Sequence, residues 1–222
     1  MTGQIVGEAH LVKRYGLGIA IAPAALLLTF GHADAAALKI VNVGAPAINC
    51  VFSNECKVVV TDSLGTVPLA GVSGQPPWPN FGPAVLQSRS YVGAKGSPAA
   101  GEMGYMYRMV LTYAVGSGCV TTLKLDVGPI KKHYFDFTGT LADVFVVTSG
   151  GLGTIGLSSA SQDGNIVTFR FDKPVCAGPA PEKGDTSFFF GFAAGAEPMQ
   201  TSSKVEVAGQ AALDVAARVP RH

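Results

Sequence analysis

The chain has 222 residues, 48% of them apolar and 14% charged, with a formal net charge of +1 at pH 7. A near-neutral chain without clustered Lys and Arg lacks the electrostatic footprint of a nucleic-acid binder or of a protein held on an anionic membrane surface. Of the four histidines, His10 and His32 precede residue 35 and His222 ends the chain. That leaves His133 as the one internal imidazole, too few for a histidine-built metal centre.

Residues 1–35 read as a cleaved secretory signal peptide. Lys13 and Arg14 precede the apolar run YGLGIAIAPAALLLTF, and Ala33-Asp34-Ala35 supplies a small-residue exit. The run is shorter than the ~20 residues that a spanning helix needs, and Pro23 interrupts it. No cysteine lies near the cleavage point, which excludes a lipoprotein anchor there. The expected mature chain, 36–222, keeps a net charge of +1, because the leader carries Lys13 and Arg14 against Glu8 and Asp34. A chain of this length reads as a single domain with room for a sizeable core. No membrane span is expected within it, and the expected location is extracytoplasmic, meaning secreted, periplasmic or at the cell surface.

Past the leader no stretch sustains a helical period, and alternation with period 2 recurs instead. In chain order, strands are expected over 38–43 and 57–62, with Cys50 and Cys56 bracketing the turn-forming VFSNE as a stapled hairpin tip. Next comes GQPPWPNFGP, residues 74–83. Four prolines fix φ and remove backbone donors, so this is a stiff extended loop and not an inner strand. Its residues Trp78, Asn80 and Phe81 are the candidate ligand-binding residues, since rigid outward aromatics stack on a sugar ring or partner surface at small entropic cost. The alternative is that Trp78 folds back to cap the core. Residues 93–104, GAKGSPAAGEMG, are read as a second wall of the same loop surface.

Strands follow over 85–92 and 105–115, the latter with Tyr105, Tyr107, Met109, Leu111, Tyr113 and Val115 on one face and Arg108 and Thr112 on the other. Residues 119–127 place Cys119, Leu123, Leu125 and Val127 together, opposite Thr122, Lys124 and Asp126. Further strands are expected over 134–137, 144–149, 154–158, 165–171, 187–192, 204–207 and 212–220. In the 165–171 run Val167, Phe169 and Phe171 oppose Thr168 and Arg170. Turn chemistry separates these runs, most clearly in SQDGN at 161–165. The expected fold is all-β: an antiparallel β-sandwich of about ten short strands, with an antiparallel barrel as the alternative.

Four cysteines in an exported chain imply two disulfides, and four allow three connectivities. The expected pairs are Cys50–Cys56 and Cys119–Cys176. C-x5-C spacing is poor for zinc. Gly151, Gly153 and Gly156 satisfy G-x-G-x-x-G, but a turn follows where a dinucleotide site needs a helix, so they are read as a tight turn and no cofactor is expected. His133 sits beside Lys131 and Lys132 with no G-x-S-x-G elbow anywhere and is read as a surface residue. The Asp residues are dispersed, mostly at turns, without a D-x-D-x-D run for calcium, the loops SQDGN and EKGDTS being the nearest candidates. No catalytic residue and no metal ligand is assigned.

The stretch FRFDKPVCAGPAPEKGDTSFFFGFAA, residues 169–194, resembles the closing portion of bacterial exported β-sandwich proteins of unassigned function. The shared features are an F-x-F strand, a Pro-Val pair, a Gly-rich loop and an S-x-F-F-x-G strand. The expectation for function is a non-catalytic exported binding or surface-structural protein with a glycan or protein partner. The alternatives are a secreted carbohydrate-active hydrolase using paired carboxylates and a self-assembling surface subunit pairing through an edge strand.

Overall fold

The structure, a computed structural model, describes residues 35–222. The signal-peptide reading therefore lies outside the described residues, Ala35 excepted. In chain order the elements begin with β1 (Ala36–Leu38), β2 (Ile40–Gly44), α1 (Ala45–Phe52), β3 (Thr61–Thr66) and β4 (Val72–Ser73). They continue with β5 (Val85–Val92), β6 (Met103–Val110), β7 (Val115–Gly116), β8 (Cys119–Asp126) and β9 (Val144–Ser149). The last are β10 (Leu157–Asp163), β11 (Ile166–Cys176), β12 (Phe189–Ala194), β13 (Pro198–Val207) and β14 (Leu213–Pro220).

Two six-stranded sheets face each other, as the alternation implies. One has the order β1-β10-β11-β8-β13-β14, the other β2-β9-β12-β6-β5-β3, and β4 and β7 form a small ribbon. Pairing within the sheets is antiparallel except for β2 with β9. The shared core holds Tyr105, Tyr107 and Met109 of β6 and Phe190 and Phe192 of β12, against Leu123 and Leu125 of β8 and Phe169 of β11, all essentially sealed from solvent. Both tyrosines of this shared core keep a partner for the hydroxyl: Tyr105 donates to the Ala196 carbonyl and Tyr107 to that of Arg218.

Both lateral edges are occupied. On one side the chain crosses at Lys39 from β1 in the first sheet to β2 in the second, and the Asp143 carboxylate accepts the Lys39 N–H. On the other side β3 lies against β14, and a Cβ on Gly65 would collide with the Ala216 carbonyl. Glycine is required there by close backbone approach.

The two sheets differ on their far sides. In the first, most outward residues are polar and reach solvent, the buried Thr122 excepted; β11 alternates Val167, Phe169 and Phe171 inward with Arg170 and Asp172 outward. In the second, β12 is buried at every position, and a second apolar cluster lies on the far face. Ile48, Val51 and Phe52 of α1 pack there with Tyr91, Met106, Phe135, Phe145 and Phe189. We call the two the open sheet and the covered sheet.

Several sequence expectations are corrected. Residues 45–52 are helical, because Pro46 pre-sets φ in the first turn and Ile48, Val51 and Phe52 find a face to bury against. The disulfides are Cys50–Cys56 and Cys119–Cys176, as expected. The first, however, ties the last turn of α1 to the following turn and not a hairpin tip. The strand expected at 57–62 begins at Thr61, where pairing to Ser90 starts. The strand expected at 105–115 stops at Val110, since the chain turns at Thr112 and Tyr113 before β7. In β8, Val120 and not Cys119 faces the core. The register slips there against both β11 and β13, a bulge that reverses the alternation. Residues 134–137 form no strand: backbone bridges at Lys131–Ala193 and His133–Ala142 hold a turn between them. Finally, 93–104 does not join 74–83 in one surface. The two loops leave opposite ends of β5, and eight extended residues separate them by roughly 25 Å.

Candidate functional site

The proline-rich loop folds back on the molecule. A Cβ on Gly74 would collide with the Tyr113 carbonyl, and the Gly82 N–H donates to Thr66 Oγ1. Trp78 is half-buried, its ring edge-on to Tyr113 with centroids 6.1 Å apart. Phe81 is half-buried as well. Asn80 is exposed at φ 68°, a left-handed conformation that asparagine tolerates. The three expected site residues thus share one loop, but only Asn80 projects fully into solvent.

Outward aromatics occur instead in the turn at 133–142, on the cover of the covered sheet. His133 and Phe135 point inward. His133 Nε2 lies 2.6 Å from Glu102 Oε2, so this imidazole is half-buried in a polar pair and not a free surface group. Phe135 packs on Phe145 with centroids 4.9 Å apart. Beside these anchors Tyr134 and Phe137 are each 54% exposed, and Leu141 is 42% exposed. Phe137 adopts φ 57°, a left-handed conformation that is a genuine outlier for a bulky side chain. Asp136 fixes the turn: its carboxylate accepts the Thr138 N–H at 3.0 Å and the Thr138 hydroxyl at 2.6 Å. The Thr138 hydroxyl bond holds the Asp136 carboxyl below its ordinary range.

A cleft of about 320 Å³ opens at the other end of β9 and β12. Ala45, Ile48 and Asn49 of α1 form one wall, and Val58 and Val60 with Gly151 and Leu152 form the rim. Arg89, Met106, Val147 and Phe189 form its floor on the sheet. Asp62 of the edge strand β3 accepts two bonds from Arg89, at 2.7 Å and 3.3 Å, and one from Gln87 at 3.2 Å. Gln87 in turn accepts from Arg108 Nη2 at 2.7 Å. The guanidinium groups of Arg89 and Arg108 lie 4.5 Å and 4.7 Å from the Phe189 ring centroid. Burial pulls the pKa of Arg108 below its usual value, and the Arg89 charge adds to that shift.

Two further hollows are shallower in chemistry. One lies on the open sheet beside Lys124, Asp126 and Lys204; the other lies beside Val59, Thr61 and Val92. Among the described residues, none of these three cavities is lined by more than one carboxylate. Nor do the described residues bring three or more His, Cys, Asp or Glu side chains into a cluster able to hold a metal ion. No described helix is long and apolar enough to cross a membrane.

Tyr134, Phe137, Arg89 and Arg108 were not candidates on sequence. The usable signal for Arg108 is its place in MGYMYRMV, a charge among apolar residues on both faces of one strand. For Phe137 it is the D-F-T-G run, in which Asp and Gly bracket a turn. No family model, curated protein or solved structure matches this chain.

Proposed function

We propose that this is an exported, non-catalytic binding protein that recognises a glycan or protein partner through the aromatic turn carrying Tyr134, Phe137 and Leu141. The observation that carries the reading is Phe137, held outward in a left-handed conformation. That backbone costs on the order of 1–3 kcal/mol, and half of the ring remains in water, so folding recovers little of it. A pre-positioned aromatic loses little freedom when a partner covers it. Tyr134 beside it adds a ring with a polar tip, the chemistry that suits both sugar faces and protein surfaces. Export rests on the leader and on two disulfides, which persist in oxidising compartments.

The hydrolase reading has less support, because among the described residues none of the three cavities above is lined by the paired carboxylates that such chemistry uses. Assembly through an open edge has less support too, since β3 and β14 lie against each other. The test is a panel of immobilised glycans and extracytoplasmic proteins, probed with the wild type and with Tyr134→Ala/Phe137→Ala. The expected result is binding by the wild type that weakens at least about tenfold in the double variant, the effect of losing an aromatic anchor. Release of cleaved glycan by the wild type, or equal binding by both proteins, would overturn the proposal.

A further inference from the structure

An uncompensated charge lies behind the floor of the cleft on the covered sheet. Arg89 is matched by Asp62, which it grips through two nitrogens. Arg108 has no such match. It is 8% exposed, its Nη2 is spent on the neutral Gln87 amide, and its buried Nε has no partner. Among the described residues no carboxylate oxygen lies within 4.0 Å of it. Buried guanidinium groups are ordinarily paired with an anion, because desolvation of a lone charge is costly. The Phe189 ring offsets part of this through its face, but one positive charge remains, beside a cavity that presents apolar side chains together with polar groups.

We propose that this cleft binds a small amphipathic monoanion, an apolar chain bearing one carboxylate. The carboxylate sits against Arg89 on the cleft floor, with the Arg108 charge close behind it at the Phe189 ring, and the chain lies along Ile48, Val58 and Val147. The charge count selects a monoanion over a dianion: two guanidinium groups face the single Asp62 carboxylate. Arg89 grips Asp62 through Nε and Nη2, which leaves its Nη1 to donate to a second carboxylate. A cavity of about 320 Å³ falls at the small end of ligand pockets and suits a medium-length acyl chain. This site lies at the far end of β9 and β12 from the aromatic turn, so its test stands independently of the partner reading above.

The experiment is calorimetric titration of the whole protein with three probes that share a ten-carbon chain: decanoate, decanol and decyltrimethylammonium, each kept monomeric. The expected result is saturable 1:1 binding of decanoate, at least about tenfold weaker binding of decanol, as for loss of one charge-assisted contact, and none of the cation. Arg108→Met should erase the preference for decanoate over decanol without lowering the melting temperature, whereas a merely structural arginine would lower it. Should that variant fail to fold, Val60→Trp decides, because Val60 is 37% exposed at the cleft rim and a larger ring there blocks entry. Equal binding of decanoate and decanol, no saturable decanoate binding, or undiminished binding by Val60→Trp would each overturn the proposal.

Discussion

The two sheets of the sandwich share one core but face different surroundings on their far sides. The open sheet shows water a row of Ser, Thr, Lys and Glu side chains, and its ion pairs there, Lys124–Glu206 and Lys204–Asp214, are solvent-exposed. The covered sheet carries α1, the loop at 93–102 and the aromatic turn on its far face, with a second apolar cluster beneath them. Each cover piece is tied down. The Ala94 and Ala99 N–H groups donate to the Phe52 and Val51 carbonyls, and Cys50–Cys56 closes the end of the helix. The difference teaches where this fold places its chemistry. A sheet with one wet face offers only screened charges, whereas a covered sheet creates clefts and fixed turns at the margins of its cover. The cleft over Arg89 and Phe189 and the Tyr134–Phe137 turn are those margins.

The largest expected effect lies in the second cluster. Phe145→Ala removes a ring that is sealed from solvent and packed on Phe135, at a cost of about 3–5 kcal/mol through cavity formation. An outward change on the open sheet, Lys124→Ala, stays within about 0.5 kcal/mol. Chemical denaturation of the two variants measures the contrast; equal losses would mean that the cover contributes no core of its own.

Next in size is the staple under the cover. Replacing Cys50 and Cys56 by Ala frees a loop of sequence separation 6 and costs about 2 kcal/mol, against about 4 for opening Cys119–Cys176 at separation 57. Hydrogen exchange in the first variant should rise over 45–52 and 93–102 while the open sheet keeps its protection. Uniformly faster exchange would contradict a separately fastened cover.

The smallest effect concerns acid. The Lys124 bond lowers the pKa of Glu206 below its ordinary 4.5. A depressed carboxylate contributes stability that is present above its unfolded pKa and lost as pH falls through the folded value. Glu206→Gln should therefore cost under about 1 kcal/mol near neutrality, because the pair is solvent-screened, and that difference should shrink as pH falls below the ordinary 4.5 and vanish once pH passes the lowered folded value. Melting curves across pH 3–7 test the sign; a difference that grows in acid would refute it.

How legible each region was follows from the same asymmetry. The open sheet reads from alternation, because one face is wet: Val167, Phe169 and Phe171, then Val215, Ala217 and Val219, all point inward as their spacing implies. In the covered sheet β5 and β9 were bounded correctly at 85–92 and 144–149 by their apolar and β-branched content. What covers that sheet was not legible. Eight helical residues make two turns, too few to establish a period, so only Pro46 marked α1. Tyr134 and Phe135 do alternate, and nothing in the alternation reveals that Asp136 bends the chain one residue later. Arg108 reads as an outward residue of a half-wet strand, since burial of its face depends on a helix more than fifty residues upstream. Trp78 drew attention by its rarity and its prolines, whereas the structure turns its ring toward Tyr113.

The central claim is that the aromatic turn is built to be covered by a partner and not to hold the fold. It is tested most directly by titrating one captured partner with the wild type and with Tyr134→Ala/Phe137→Ala, each checked for its melting temperature. The account predicts binding weakened at least about tenfold and a melting temperature unchanged or raised, since alanine sheds the exposed rings without opening a cavity. Unchanged binding, or a melting temperature that falls by several degrees, would contradict it.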